Sequence, residues 1–163
     1  MSKENESFLS SIESNKGIIY KVANSYCKDA DDRADLVQEI ILQLWKAFPS
    51  FQPDYKLSTW MYRIALNVAI SAYRKASNRC QIYQPLSETA IYLAEDKSLA
   101  NDNRDLLQSL IRELKEVDKA LILLYLDGYL YSEIGEILGI SESNVATKLS
   151  RIKQQLKQKI TSY

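Results

Sequence analysis

Towards the C-terminus, Ser143, Thr147 and Arg151 recur at intervals of four, with Asn144 and Lys148 beside them. On a helix, that spacing gathers the five side chains on one side. All five donate hydrogen bonds and two are cationic. Together they could read base edges in a DNA major groove and hold its phosphates; a plain helical hairpin with a solvated polar face would carry the same pattern. A second set lies upstream, where Trp60, Arg63, Asn67, Arg74 and Lys75 mix aromatic, amide and basic groups, with Tyr62 and Tyr73 among them. Bases that leave a duplex need flat faces to stack on and cations near their phosphates, so this mixture suits single-stranded nucleic acid. The bland alternative is that the rings pack in a core with their polar ends wet.

The elements that must position the first set read as two short helices across a tight turn. Ser132 is placed to cap the first, Ile134, Ile137 and Leu138 form its apolar face, and Gly139 stands where a helix end favours a left-handed backbone. Ser141 then caps the second helix, whose apolar stripe is Val145, Leu149, Ile152 and Leu156. A helix, a glycine turn and a second helix make a helix-turn-helix pattern. The second set sits on a helix capped by Ser58 or Thr59, with Met61, Ile64, Ala65, Val68, Ala69 and Ala72 inward. Before it, Arg33 to Phe48 carries a broad apolar stripe of Val37, Ile40, Ile41, Leu44, Trp45 and Phe48. Asp35, Gln38, Glu39 and Gln43 lie on its other faces, and Pro49 closes it. Phe8 to Tyr26 opens the chain as one helix or two, with a break near Asn15–Gly17, and Cys27 to Asp32 is a polar connector. Helix resumes near Arg104, breaks at Glu116-Val117-Asp118, and follows again from Lys119 to Leu126, ending at Asp127-Gly128.

Composition narrows the class. The 163 residues include four glycines and three prolines, which favours helices over sheet. Net charge is zero but unevenly spread: residues 56–79 hold five basic groups and no acidic one, and residues 141–163 hold five basic against Glu142. Residues 86–118 between them hold eight acidic groups against four basic. Two basic blocks about an acidic middle suggest two polyanion-binding surfaces. The chain has no histidine, no phosphate-binding Gly-Lys-Ser/Thr loop and no metal-ligand spacing of its two cysteines, Cys27 and Cys80. An enzyme, a metal site and a bound cofactor are therefore not expected, and Asp29, Asp31 and Asp32 read as a helix lead-in. The N-terminal residues lack the apolar core of a signal peptide and no apolar run has membrane-span length, so a soluble cytoplasmic chain is expected. The expected fold is all-α: a helical domain over 1–78, a flexible linker over 79–103 in which 90–93 could form a short helical turn, and a helix-turn-helix domain over 104–163.

Two stretches taken together resemble a known family. Asp35-Leu36-Val37-Gln38-Glu39, then Leu44-Trp45 and Ser58-Thr59-Trp60-Met61-Tyr62-Arg63-Ile64-Ala65-Leu66-Asn67, are similar to the second conserved domain of bacterial sigma factors. Residues 128–153 resemble the fourth. Only these two domains, with a short linker, is the layout of the extracytoplasmic-function subgroup. The resemblance implies a factor that binds core RNA polymerase (the β′ clamp helices, and β), recognises the -10 and -35 promoter elements and helps melt the duplex, with no catalysis of its own. It assigns Asp35, Leu36, Gln38, Glu39 and Gln43 to polymerase. Trp60, Arg63, Asn67, Arg74 and Lys75 go to the -10 element, and Ser143, Asn144, Thr147, Lys148 and Arg151 to the -35 element. It also implies an anti-sigma factor as partner, in many cases membrane-bound. Ala146 departs from the basic residue common in the family. The alternative reading is a stand-alone helix-turn-helix regulator.

Overall fold

A computed structural model describes residues 2–82 and 99–162, with side chains over 2–76 and 102–162. Seven α-helices and one 3-10 turn follow in order, and no strand occurs among the described residues. They are α1 (Lys3–Tyr26), α2 (Ala30–Ala47), a 3-10 turn (Phe48–Ser50), α3 (Leu57–Ile82), α4 (Leu99–Arg112), α5 (Glu116–Leu126), α6 (Tyr131–Leu138) and α7 (Glu142–Thr161).

The N-terminal half packs α1, α2 and α3 against one another. The expected break in α1 is a kink within one continuous helix, at Asn15, whose φ of −124° and ψ of 15° leave the helical range. Helix α2 begins three residues earlier than its apolar pattern suggests. The Asp29 carboxylate accepts from the N–H groups of Asp31 and Asp32, both at 3.1 Å, and so satisfies two orphan donors of the first turn. The second half of the connector is thus the start of a helix. Leu36, Ile40 and Leu44 form the buried seam of α2. Pro49 lies in the 3-10 turn that ends it.

In the C-terminal half α5, α6 and α7 make the closest group. The expected break at Glu116–Asp118 falls earlier, around 113–115, because Lys115 is the N-cap of α5. Glu116 and Asp118 belong instead to the first turn, where their charge suits the helix dipole. The expected linker over 79–103 is helical at both ends, since α3 continues to Ile82 and α4 starts at Leu99. Residues 83–98, which include the expected turn at 90–93, lie outside the described residues.

The two halves pack directly on each other, and their buried residues join in one core. Helix α3 is the shared wall, touching α1 and α2 on one side and α5 and α6 on the other. Its sequence allows this because it has more than one apolar stripe. Beside the expected Met61, Ala65 and Ala69, Tyr62 and Leu66 are each 1% exposed, whereas Ala72 of the expected inward set is exposed. Removing the Asp29 cap by Asp29→Ala should lower the unfolding free energy by about 1 kcal/mol in urea titration, without changing the slope.

Candidate nucleic-acid interface

The C-terminal surface is built by its turn. Gly139 ends α6 at φ +71°, a left-handed conformation that glycine adopts without strain. The Ser141 hydroxyl then accepts from the Asn144 N–H at 3.2 Å and starts α7. Val145, Leu149, Ile152 and Leu156 are buried as the stripe requires. Ser132 does not cap α6. Leu130 does, with extended backbone and a carbonyl that accepts the Ile134 N–H at 2.9 Å, which leaves Ser132 inside the first turn. One determinant had no legible signal: Gly135 passes so close to the turn that a Cβ there would lie 2.7 Å from the Ile140 carbonyl oxygen.

With α7 seated in this way, Ser143, Asn144, Thr147 and Arg151 are exposed and Lys148 is half-buried. The five predicted side chains therefore start from one end of one helix, the end that enters a groove in helix-turn-helix docking. Thr147 donates its hydroxyl proton to the Ser143 carbonyl at 3.0 Å, so its oxygen remains free to accept. Two other lysines of the basic block are engaged within the fold. Lys153 sits over the Tyr125 ring at 3.9 Å, and Lys159 pairs with Glu113 at 2.7 Å.

In the N-terminal half, a groove of about 500 Å³ runs between α2 and α3. Asn67 and Lys75, expected to face DNA, share it with Glu39 and Gln43, expected to face polymerase. Positions 64, 67, 68 and 71 of α3 line it at helical spacing. Gln43 donates to the Glu39 carboxylate at 2.8 Å, which fixes that rim. The rest of the predicted polymerase set divides. Asp35 lies with Glu39 on a second cavity, whereas Gln38 lines an apolar hollow with Leu9, Leu42 and Trp45. Leu36 is 5% exposed and belongs to the core. Trp45, expected to be buried, is 42% exposed, and Leu42 is 43% exposed. One edge of Trp45 packs on Phe8, at 5.0 Å between ring centres, and the remainder faces out.

The predicted -10 residues also divide. Trp60 is half-buried, with its ring 5.0 Å from Phe51 and 6.3 Å from Phe48. It is committed to this aromatic cluster, which makes packing its first role. Arg63 and Arg74 do not face the groove. The Arg63 guanidinium donates to the Glu136 carbonyl at 2.8 Å, and Arg74 pairs with Glu116 at 3.3 Å, so both reach across to the C-terminal half. A hydrogen bond from its own N–H, and then Arg74, hold the Glu116 carboxyl below the usual carboxylate range.

The seam between the halves holds residues that sequence reasoning passed over. Asp127 uses both carboxylate oxygens: one pairs with Lys21 at 2.5 Å, the other accepts from the buried Tyr62 hydroxyl. Burial, and then the carboxylate, push the Tyr62 hydroxyl above its ordinary pKa. Lys119 is 2% exposed, with its ammonium 4.5 Å from the centre of the Tyr73 ring and 5.2 Å from that of Tyr26. Such stacking offsets part of the cost of burying a cation. Burial still pulls the Lys119 pKa below the ordinary lysine value. The only hint of this in the sequence was a lysine opening an otherwise apolar helical run. No cluster of metal-ligating side chains occurs among the described residues, and no helix there is long and apolar enough to cross a membrane.

Comparison with known proteins bears on both halves. Residues 12–79 match the family model for sigma-70 region 2, and residues 104–156 match that for sigma-70 region 4. The ECF RNA polymerase sigma factor SigW of Bacillus subtilis (strain 168) is 25% identical, over 96% of this chain and 90% of its own. The ECF RNA polymerase sigma-E factor of Escherichia coli (strain K12) is 28% identical, over 79% of this chain and 74% of its own. Among solved structures, the sigma factor RpoE in complex with the anti-sigma factor NepR from Bartonella quintana superposes with a TM-score of 0.76. It is 23% identical and covers 96% of this chain and 98% of its own. CnrH in complex with the cytosolic domain of CnrY gives 0.69 at 20% identity, covering 97% and 90%.

Because a side chain at position 135 meets backbone, Gly135→Val should destabilise the chain by about 2 kcal/mol or more in thermal or urea unfolding. Gly17, around which a Cβ would have open space, is the control: Gly17→Ala should be neutral or slightly stabilising.

Proposed function

Because the chain belongs to the sigma-70 family, with regions 2 and 4 in the layout of its extracytoplasmic-function group, we propose that it binds core RNA polymerase through α2 and the groove beside it and reads promoter DNA with α3 and α7. As a sigma factor it directs polymerase to promoters. The chemistry of RNA synthesis is polymerase's, and this chain acts through binding alone, in the cytoplasm.

In this reading Gln38, Glu39 and Gln43, joined by the exposed Leu42 and Trp45, meet the β′ clamp helices, and Asp35 lies on the neighbouring face of the same helix. Polar groups beside a half-exposed tryptophan suit a helix-on-helix contact, where a large ring supplies apolar area and the amide and carboxylate fix register. Asn67 and Lys75 take the -10 strand. An amide can pair with the edge of a base, and the lysine can hold a neighbouring phosphate. Extracting a base from the stack costs a few kcal/mol, which those contacts and polymerase have to offset. Ser143, Asn144, Thr147, Lys148 and Arg151 dock the -35 element as duplex.

The observation that carries this reading is the α2–α3 groove, which places Glu39 and Gln43 against Asn67 and Lys75. Strand capture and polymerase docking thereby share one rigid wall, a task that a stand-alone helix-turn-helix regulator would not have. We further propose an anti-sigma factor as inhibitory partner, as NepR is for RpoE in the similar complex.

The test is transcription by core polymerase with and without the chain, on the promoter upstream of its own gene, together with two variants. A correctly started transcript should appear only with the chain present. Arg151→Ala should weaken holoenzyme binding to duplex -35 DNA by about 1–3 kcal/mol while the chain still co-elutes with core polymerase. Asn67→Ala should leave -35 binding intact and reduce promoter opening, read by permanganate reactivity of unpaired thymines. No transcript and no co-elution with core would refute the proposal.

A further inference from the structure

Of the five side chains proposed for the -35 element, Lys148 and Arg151 only donate hydrogen bonds, and the Asn144 amide both donates and accepts. The Ser143 hydroxyl meets that of Ser141 at 3.3 Å, where either oxygen can be the donor. Thr147 is different. Its hydroxyl proton goes to the Ser143 carbonyl at 3.0 Å, one turn back on the same helix. What it offers outward is therefore an acceptor lone pair and a methyl group. A helix leaves a β-branched side chain few rotamers, and the bond to Ser143 selects one of them.

Thr147 also stands where α7 faces most directly away from the core. Val145 and Leu149, two residues before it and two after, are both buried. Two residues turn a helix by about 200°, so the side chain between them points away from both. The surface around it is short: Ala146 is half-buried, and Ser143 and Ser150, one turn to either side, are exposed. A long side chain at these positions would hold the helix off the floor of a groove, whereas short ones let a threonine touch base edges. Asn144, Lys148 and Arg151 follow one another along one flank at helical spacing, which leaves the midline to uncharged groups.

An outward acceptor is selective in a major groove. Adenine and cytosine present an amino donor there, while guanine and thymine present a keto oxygen that would face the threonine oxygen with no proton between them. The methyl group adds a second preference, because thymine alone carries a methyl on that edge. One base pair satisfies both. We infer that Thr147 sets the sequence of the -35 element at one position, accepting from the adenine amino group and packing its methyl on that of thymine, and so selects an A·T pair there. The inference rests on the promoter reading proposed above. Turning the hydroxyl towards a keto base means giving up its bond to the helix, so the wrong base gains no net bond.

The test alters single groups on the DNA. Holoenzyme reconstituted from core polymerase and the full chain selects from promoter DNA randomised over the -35 duplex, and the selected sequence is then modified. Replacing the selected adenine by 2-aminopurine moves its amino group to the minor groove and keeps the pairing with thymine. That change should lower affinity about tenfold for the parent chain and for Thr147→Ser, and leave Thr147→Val unaffected. Replacing the thymine by uracil removes only the methyl. It should cost the parent and Thr147→Val about threefold, and Thr147→Ser nothing. Thr147→Val exchanges one exposed β-branched residue for another, so its helicity should match the parent's. If 2-aminopurine weakens the parent at no position of the element, or if Thr147→Val still discriminates against it, the inference is overturned while promoter selection stands. Failure to select any sequence, with factor-dependent transcription absent as well, would refute the promoter reading and the role of Thr147 with it.

Discussion

A helix packed from two sides must find a hydrogen-bond partner inside the protein for every polar group it buries, and α3 is such a helix. Its residues touch α1 and α2 on one side and α5 and α6 on the other. Tyr62 brings a hydroxyl into that setting at 1% exposure, and the carboxylate of Asp127 receives it. Leaving such a group unpaired would cost about 1–3 kcal/mol. Asp127 is also the C-cap of α5, followed by Gly128 at φ +84°, so the carboxylate that receives Tyr62 sits where the chain turns towards α6. The face of α3 with Asn67 and Lys75 remains open along the α2–α3 groove, and it is the face proposed above for the -10 strand.

The helix-turn-helix was the most legible part because each of its signals is local. A glycine at the left-handed position, a serine two residues later and an apolar stripe act over a few residues, and no distant contact overrides them. The cap of α6 shows the limit. Ser132 has the right side chain, but Leu130 already has the extended backbone from which the first turn starts. Asp29 is the reverse case, a true cap hidden in a run of carboxylates that looked like mere solvated lead-in.

The seam between the halves was not legible, since one period cannot say how many neighbours a helix has. A stripe of Met61, Ala65 and Ala69 accounts for the N-terminal core, and nothing nearby in sequence announces that Tyr62 faces a carboxylate 65 residues away. Lys119 is similar. A lysine in an apolar run ordinarily reaches out to water, yet here two tyrosine rings from α1 and α3 receive it. Trp45 errs in the other direction. Its spacing is that of the core, yet Phe8 covers only part of the ring, which stays 42% exposed beside Leu42. That exposed pair, with Gln38 next to it, offers the apolar area that the proposed polymerase contact would bury.

The central claim is that α3 and α7 read two separate promoter elements within one polymerase complex. The most direct measurement is photo-cross-linking of the reconstituted holoenzyme on promoter DNA, with a short-range cross-linking amino acid placed at Ser71, on the groove wall, and in a second sample at Ser150, on α7. Ser71 should label the non-template strand near -10 and Ser150 the duplex near -35. Labelling of one and the same DNA segment from both positions, or no -10 label from Ser71 in a complex that transcribes, would contradict it.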